Sequence, residues 1–186
     1  MTNITIKKAC ITLDKGGVIA YPTEAVFGLG CDPMNAQAVE RLLLIKKRPV
    51  EKGLILVAAN YKQLIPYIGE LPTQIFDKIM NTWPGPVNWL LPANTAAPQY
   101  LRGAHFLQAV RVSSHPSIQA LCSHFGGAII STSANPSNRP PAKTALQARL
   151  RFKNQIDYVL NQPIGKQKQP CEIRNGINNE VIRSAN

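Results

Sequence analysis

The stretch LQAVRVSSHPSIQALCSHFGGAIISTSAN, residues 107–135, decides the fold class. It begins with an apolar run at residues 107–112 that is typical of a strand, and residues 116–125 carry a helical pattern. Gly126 and Gly127 end that helix, and residues 128–131 are again apolar and strand-like. Strands that alternate with a helix in this way are typical of α/β proteins, so we predict an α/β fold with a substantial sheet.

The same alternation continues on both sides of this stretch. The continuous apolar run LILVAA at residues 54–59 indicates a strand covered on both faces. Residues 22–30 and 92–104 are predicted to be loops. Further helices are predicted at residues 3–13 (capped by Thr2 or Asn3), 35–47, 61–67, 73–82 and 144–152, and further strands at 18–21, 87–91, 157–160, 172–174 and 180–183. The hairpin at the end and the proline-rich connections predict a mixed parallel and antiparallel sheet. We expect this sheet to be twisted and flanked by helices, with a basic concave cleft. No linker interrupts the pattern, so residues 1–186 are predicted to form a single domain.

The composition excludes several classes of protein. The chain has 186 residues, of which 45% are hydrophobic and 17% charged, so it can bury a core without disulfides and holds no long disordered tail. No apolar run approaches the roughly 18 residues of a membrane span. Lys7 and Lys8 lead into no signal-peptide core. We therefore expect a cytoplasmic protein with no membrane partner.

The residue types that serve metal binding or nucleophilic catalysis are scattered. The four cysteines form no CxxC pair. The three histidines, His105, His115 and His124, lack metal-ligand spacing, and their neighbours in sequence predict surface positions. No GxSxG motif is present, and ten acidic residues with none in a long central stretch argue against a paired-carboxylate hydrolase. We predict reduced thiols and no metal site built from the protein's own side chains.

The charge balance is the first feature that points to a partner. Twenty-one Lys and Arg residues against ten Asp and Glu give a net charge of +11. No acidic residue lies between Asp77 and Asp157, whereas eight cations do. Such a field favours polyanions, either a nucleic-acid backbone or a nucleotide triphosphate. The alternative is a solvated basic face that maintains solubility.

Three polar loops follow apolar runs, where an α/β sheet normally forms its binding cleft. The loop PTEAVFGLG at residues 22–30 has glycines that permit close approach to a ligand, although a plain turn would explain it too. The segment KKRPVEK at 46–52 carries four cations that could neutralise a triphosphate, while its first two lysines also suit a helix C-terminus. The segment STSAN at 131–135 could donate hydrogen bonds to phosphate or to its own backbone.

Arg111 interrupts the otherwise apolar strand AVRV at residues 109–112. A charge in that position should either face solvent or meet a carboxylate. A cleft rich in Lys, Arg, Ser and Asn but poor in bases suits phosphoryl or nucleotidyl transfer. An anionic nucleophile needs only positioning and neutralisation of charge around the phosphorus atom.

Six strings together resemble the YrdC-like family, in the family's order and over nearly the whole chain. They are AYPTEAVFGLGCDP (20–33), KKRPVEKGLILVAAN (46–60), WPGPV (83–87), AVRVSSHP (109–116), ISTSANPSNRPP (130–141) and CEIRN (171–175). The combination KxR and SxN, here Lys46/Arg48 and Ser133/Asn135, is the family's fingerprint. Any one string is weak, but six in order are specific. The length resembles the family's short bacterial form.

The resemblance implies the condensation of L-threonine, bicarbonate and ATP to L-threonylcarbamoyladenylate and pyrophosphate, with Mg²⁺ accompanying ATP. It also implies a partner: the product would pass to a tRNA threonylcarbamoyl transferase complex, which modifies the adenosine beside the anticodon of tRNAs that read codons beginning with A. The intermediate N-carboxythreonine is a carbamate anion, so it could attack the α-phosphorus without deprotonation by the enzyme.

The resemblance further implies roles for individual residues. Lys46 and Arg48 are expected to be catalytic. The expected ATP contacts are Lys46, Arg48, Lys52, Ser133, Asn135 and Arg183. The expected threonine contacts are Thr23, Arg111, Ser131 and Cys171.

Several positions depart from the family's commonest pattern. Ala25 stands in place of a Thr, Asn138 in place of a Gly, Cys171 in place of a Ser or Thr, and Asn175 in place of an Asp. The family's final RxG reads RSA at residues 183–185. Because a thiol donates a weaker hydrogen bond than a hydroxyl, Cys171 is predicted to hold threonine less tightly.

Two other functions stay open at this point. One is an RNA-binding module that uses the same basic cleft for tRNA or rRNA, with the cations of residues 143–153 as further contacts or merely a solvated helix. The other is a paralogue that has lost threonine activation. Trp83 and Trp89 could stack on bases, but aromatic residues make up only 6% of the chain and are not interleaved with cations, so burial of both in the core is expected.

Overall fold

A computed structural model describes residues 3–136 and 139–184. Its helices are α1 (Asn3–Asp14), α2 (Ala36–Lys46), α3 (Thr73–Met80), α4 (Gln99–Arg102), α5 (Pro116–Phe125) and α6 (Ala145–Phe152). Its strands are β1 (Ile19–Pro22), β2 (Phe27–Gly30), β3 (Ile55–Ala58), β4 (Val87–Pro92), β5 (Leu107–Val112), β6 (Ile129–Ser133), β7 (Tyr158–Val159), β8 (Glu172–Asn175) and β9 (Val181–Arg183). Single 3-10 turns lie at Val50–Lys52, Tyr61–Gln63, Ile65–Tyr67 and Lys153–Gln155.

The nine described strands form one sheet in the order β7-β1-β2-β6-β3-β5-β4-β8-β9. β1 is parallel to β7, β3 to β5 and β4 to β8, whereas the other neighbours are antiparallel. The predicted α/β class with a mixed sheet is therefore confirmed. This order places β6, β3 and β5 side by side, so Arg111 on β5 and the serines of β6 come from neighbouring parts of the sheet.

Helices α1 and α5 cover part of one face of the sheet. α1 presents Ile6, Ala9 and Leu13 to the core, at the spacing that puts side chains on one side of a helix. α5 presents Ile118 and Leu121 in the same way, and both helices pack on buried residues of β1, β3 and β6. The second, larger core cluster contains buried residues of α2 and α6 together with the two tryptophans.

The register of the central strands shows where the uncovered part of this face lies. Val57 of β3 pairs with Arg111 of β5, and Ile55 pairs with Ser131 of β6. Residues paired across strands share a face of the sheet. Because Val57 packs under α5, Arg111 and Ser131 lie on the same face as α1 and α5. Both line the cavity described below.

The structure corrects three local predictions. Residues 27–30 form β2 rather than a loop, because Phe27 and Leu29 are buried while the alternating glycines conceal the strand pattern. A Cβ at Gly30 would lie 2.2 Å from the carbonyl oxygen of Ile130, so this strand needs glycine there. The predicted loop 92–104 contains α4, and the predicted helix 61–67 is two 3-10 turns. The cap at Thr2 and the departure at Asn138 lie outside the described residues.

Both tryptophans are buried, as expected. Trp83 donates its indole N–H to the carbonyl of Val87 over 2.7 Å, and Trp89 donates to Thr82 Oγ1 over 2.9 Å. Neither ring is therefore available as a platform for bases. Within the described residues, no helix combines the length and the apolar character needed to cross a membrane.

Candidate active site

A cavity of about 930 Å³ lies on the face of the sheet that carries Arg111 and Ser131. Its floor includes Ile55, Ala109 and Leu90, which are paired across β3, β5 and β4. Among the described residues, seven Lys and Arg side chains and no Asp or Glu line it: Arg48, Lys52, Arg102, Arg111, Lys143, Lys168 and Arg183. A cleft lined by charge of one sign attracts ligands of the opposite sign, here anions.

Arg111 meets a carboxylate rather than solvent. Its side chain is 5% exposed, and Nη2 lies 3.1 Å from Oε2 of Glu24, whose side chain is 7% exposed. Ser113 donates its hydroxyl to Oε1 of the same carboxylate over 2.6 Å. Among the described residues, Nε of Arg111 and Oε2 of Glu24 are buried without a hydrogen-bond partner. The pair is thus held by charge and by Ser113, with one guanidinium N–H unsatisfied.

The predicted threonine contacts come together around Arg111. Thr23, Ser131 and Cys171 line the same cavity. The backbone N–H and the hydroxyl of Thr23 both donate to the carbonyl of Val26, over 2.9 and 2.7 Å, which fixes the turn between β1 and β2. Cys171 Sγ contacts Nη1 of Arg111. Burial is the largest influence on the Cys171 thiol and raises its pKa, so the thiol is protonated near neutral pH.

Arg48 and Lys52 lie on the turn between α2 and β3, and both line the cavity. Arg48 donates from Nε and Nη2 to the carbonyl of Gly53, over 3.2 and 2.9 Å, and from Nη2 to that of Lys52 over 3.2 Å. Burial lowers the pKa of Arg48 from its ordinary value. Gly53 has φ of +60°, and a Cβ there would lie 2.8 Å from the carbonyl of Arg102. The guanidinium is therefore folded back on a tight turn and held at the cavity wall.

Lys46 is not among the residues that line the cavity, although sequence placed it on the phosphates. It is 5% exposed, and its ammonium donates to the carbonyl of Ser133, to the carbonyl of Asn135 over 2.6 Å and to Asn135 Oδ1 over 3.1 Å. Burial, with a further contribution from Arg48, lowers the pKa of Lys46 to about 8. In this arrangement Lys46 connects α2 to the turn after β6.

Ser133 lines the cavity, whereas the amide of Asn135 is engaged within its own loop. Asn135 Oδ1 accepts from the Ser133 hydroxyl over 2.6 Å, and Nδ2 donates to the carbonyl of Arg139 over 2.6 Å. Arg151 of α6 donates to the carbonyls of Ala134 and Pro140, over 3.0 and 2.5 Å. The SxN half of the fingerprint therefore shapes a loop, and Ser133 is its member on the cavity wall.

The C-terminal hairpin forms the remaining wall. Arg183 lines the cavity and donates from Nη2 to the carbonyl of Cys171 over 2.7 Å. Asn175 Oδ1 accepts from the backbone N–H of Ile177 over 2.9 Å, so this departure from the family pattern stabilises the turn of the hairpin. Ala25, the departure in the first loop, also lines the cavity.

Sequence reasoning missed several members of the site. Glu24 forms the ion pair with Arg111, and Ser113 donates to the Glu24 carboxylate. Lys143 and Lys168 line the cavity. The signal for Glu24 was present, because a charged side chain stood in an otherwise apolar and turn-rich loop. His115, predicted at the surface, is 7% exposed and caps α5 by accepting from the N–H of Ser117 over 3.2 Å. Burial is the largest influence on its ring and lowers the pKa of His115.

Within residues 3–136 and 139–184, no three His, Cys, Asp or Glu side chains are grouped so that they could hold a metal ion. The carboxylate of Glu24 is paired with Arg111. The four cysteines are free thiols, three of them buried. The side chains of the cavity therefore do not fit a resident magnesium site.

The sequence matches a known protein family over most of its length. The profile of Sua5_yciO_yrdC, described as telomere recombination, matches residues 12–185. The chain belongs to this family. A Halorhodospira halophila relative named threonylcarbamoyl-AMP synthase is 48% identical over 178 residues, which covers 96% of this chain and 93% of the relative. A Pseudomonas aeruginosa relative of the same name is 50% identical over 171 residues, with 92% of each chain covered.

A solved structure from P. abyssi, Sua5 complexed with L-threonine, has the same fold. The TM-score is 0.88 at 26% identity, with 94% of this chain covered. The chain spans about half of that protein, 52% of its length. The family resemblance seen in the sequence is confirmed.

Proposed function

We propose that this protein is an L-threonylcarbamoyladenylate synthase, which condenses L-threonine, bicarbonate and ATP to threonylcarbamoyl-AMP and pyrophosphate. One observation carries the proposal. A single cavity is lined by an arginine suited to an amino-acid carboxylate and by cations and a hydroxyl suited to a triphosphate. The names of the relatives support the same activity.

The threonine half of the site would be formed by Thr23, Arg111, Ser131 and Cys171. Arg111 has a buried Nε–H without a protein acceptor. Leaving such a donor unsatisfied costs about 1–3 kcal/mol, and a carboxylate is the ligand group that matches a guanidinium best. The hydroxyls of Thr23 and Ser131 can then orient the rest of a small polar amino acid.

The ATP half of the site would be formed by Arg48, Lys52, Ser133 and Arg183, which share the cavity wall. Arg48 offers a planar fork and Lys52 a point charge, so together they can neutralise phosphate oxygens. We assign Lys46 and Asn135 to the same half through the loop that they hold. Their contribution is to fix the position of Ser133 rather than to touch phosphate in the arrangement seen here.

The reaction needs little proton chemistry from this site. Threonine, once its amine is neutral, combines with bicarbonate to give N-carboxythreonine and water. A carbamate oxygen then forms a bond to the α-phosphorus of ATP, and the bond from that phosphorus to the pyrophosphate oxygen breaks. Negative charge accumulates on the phosphoryl oxygens during this step, and the cations of the wall stabilise it.

Mg²⁺ is expected to enter as a complex with ATP, since the described side chains of the cavity do not form a site for it. The product would be passed to a tRNA threonylcarbamoyl transferase complex. A cytoplasmic location belongs to the same proposal, because the other substrates and the tRNA are found there.

Two of the cations that could have bound RNA are engaged elsewhere in the structure. Of the cations on the α6 segment, Arg151 is engaged with the loop after β6. Lys143 belongs to the cavity wall. Contacts between exposed cations and RNA would weaken steeply as salt is raised, whereas activity that depends on Arg48 would not follow that slope.

The deciding experiment is pyrophosphate release from ATP by the purified protein, with threonine and bicarbonate each supplied and each omitted. Release that requires both substrates is the expected result. Absence of release, with RNA binding that collapses as salt is raised, would replace the proposal by an RNA-binding module. Absence of release with intact ATP binding would identify a paralogue that has lost threonine activation.

A further inference from the structure

Glu24 stands out because it is a buried acid beneath a cavity whose described lining contains none. Its side chain is 7% exposed, and it is absent from the cavity wall. An isolated buried carboxylate would be costly, but here both oxygens face positive or donating groups. Oε1 accepts from Ser113 over 2.6 Å, and Oε2 lies 3.1 Å from Nη2 of Arg111.

These contacts fix the direction in which Arg111 points. Glu24 engages Nη2, and Nη1 contacts Cys171, which lines the cavity. A free arginine side chain could place its fork in many orientations, whereas one held at Nη2 presents its remaining N–H groups in a set direction. Ser113, whose hydroxyl also accepts from the N–H of His115 over 3.0 Å, ties the carboxylate to the start of α5.

We propose that Glu24, oriented by Ser113, is a positioning residue that aims the guanidinium of Arg111 at the carboxylate of the amino-acid substrate. This inference rests on the proposed function, since it takes an amino acid as the ligand of Arg111. Glu24 acts through Arg111 alone and does not touch substrate. Its effect should therefore vanish when Arg111 is absent.

The test is a double-mutant cycle on threonine affinity, measured calorimetrically with a non-hydrolysable ATP analogue present. The four proteins are the wild type, Glu24→Gln, Arg111→Ala and the double variant. We expect Glu24→Gln to weaken threonine binding about tenfold or more, the range of a lost hydrogen bond or ion contact to a charged group. In the Arg111→Ala background the same change should have less than about a twofold effect. Affinity for the ATP analogue should stay within about twofold in all four proteins.

Two milder variants keep the test informative if Glu24→Gln does not fold. Ser113→Ala keeps both charges and removes only the hydroxyl that orients the carboxylate, so threonine binding should weaken about threefold to tenfold. Glu24→Asp keeps the charge and should retain more affinity than Glu24→Gln. Arg41→Gln is the control. It breaks an ion pair outside the cavity, in which Nη1 of Arg41 lies 2.7 Å from Oδ2 of Asp157, and it should leave threonine binding unchanged.

Equal effects of Glu24→Gln in the two backgrounds would overturn the inference, as would a loss of ATP-analogue affinity equal to the loss for threonine. A wild type that binds no threonine would overturn it as well. The proposed function fails on a separate readout, pyrophosphate release by the wild type. If the protein binds threonine with the predicted coupling but releases no pyrophosphate, the role of Glu24 is supported and the proposed synthase activity is contradicted.

Discussion

The ammonium nitrogen of Lys46 lies 2.6 Å from the carbonyl oxygen of Asn135 and 3.1 Å from its amide Oδ1. This contact joins the KxR segment at the end of α2 to the SxN segment at the end of β6, 89 residues later in the chain. The two halves of the fingerprint are therefore one structural unit. Within it, Arg48 and Ser133 reach the cavity, while Lys46 and Asn135 hold Ser133 in place.

The charge on Lys46 should give the reaction an alkaline limit. Because the pKa of Lys46 is lowered to about 8, the ammonium loses its proton as pH rises through that value, and its hold on the loop after β6 weakens. We expect kcat/KM for ATP to fall above pH 8 in a profile measured between about pH 6.5 and 9.5. Lys46→Gln should lower activity about tenfold or more and flatten this limb. Lys62→Gln, which removes an exposed charge, should leave the profile intact. If kcat/KM still falls above pH 8 in Lys46→Gln, the alkaline limit belongs to another titrating group.

The same group should affect stability in the opposite sense. The folded pKa of about 8 lies below the ordinary 10.5, so between these values the unfolded chain binds more protons than the folded one. Lys46 therefore makes the free energy of unfolding increase as pH rises from 8 towards 10.5. Urea unfolding of the wild type and of Lys46→Gln across this range should show the difference between the two proteins rising with pH. A difference that falls with pH would mean that the pKa of Lys46 is not lowered.

Arg48 should be needed for turnover rather than for folding. Removal of a preorganised cation from a nucleotidyl-transfer site typically costs about 100-fold to 1,000-fold in rate. We expect Arg48→Ala to lose at least that much, and Asn135→Ala to lose activity through displacement of Ser133. Arg48→Lys should not restore activity, because a point charge cannot replace the fork that holds Gly53. Circular dichroism should show an unchanged fold. Near-normal turnover in both alanine variants would refute the assignment of the ATP half.

The elements that sequence predicted well are those whose signals are local. Apolar runs such as 54–59 identified the central strands, and Gly126 and Gly127 marked the end of α5. The strand β2 was missed because its two glycines carry no side chain to show the alternation, although their absence of side chains is what allows β1, β2 and β6 to pack closely. A pattern based on side chains cannot detect a strand that depends on missing ones.

The candidate site shows the same division. Charge and residue type were enough to select Arg111, Arg48 and Ser133, all of which line the cavity. Glu24 is visible in the sequence as the charged residue of its loop, but its pairing with Arg111 could not be predicted, because the two lie 87 residues apart and only the sheet brings them together. Lys46 was assigned to phosphate because it is one of the four cations at residues 46–52 and part of the KxR motif, and its contacts depend on tertiary structure. Its three acceptor oxygens belong to Ser133, the last residue of β6, and to Asn135 in the loop that follows.

Cys171 should weaken the threonine half relative to a hydroxyl. Its pKa is raised, chiefly by burial, so the group beside Arg111 is a neutral thiol and a poor hydrogen-bond partner. Cys171→Ser should therefore lower the threonine KM about twofold to tenfold at unchanged ATP KM, the range of one net hydrogen bond. Cys171→Ala should raise the threonine KM or leave it unchanged. If serine and alanine have the same effect, the side chain at this position makes no polar contact with threonine.

The segment at residues 161–170, which we call the strap, should support the same half of the site. Gly165 donates its N–H to the carbonyl of Thr23 over 2.9 Å, and Gln167 donates to that of Glu24 over 3.1 Å. A Cβ at Gly165 would lie 2.5 Å from the carbonyl oxygen and 2.9 Å from Cα of Glu24, both backbone atoms. Gly165→Ala must therefore displace the strap, the Glu24 backbone or both.

We expect Gly165→Ala to lower the free energy of unfolding by about 1–3 kcal/mol, as overpacking generally does. It should also raise the threonine KM more than the ATP KM, because the displaced backbone carries Thr23 and Glu24. Gly127→Ala is the matched control. Its added Cβ would meet only the Phe125 ring at 3.8 Å, so stability should be unchanged or higher by up to about 1 kcal/mol. Thermal unfolding and steady-state kinetics of the two variants decide the matter. Equal stability and equal threonine KM in both would show that the strap moves freely and does not shape the site.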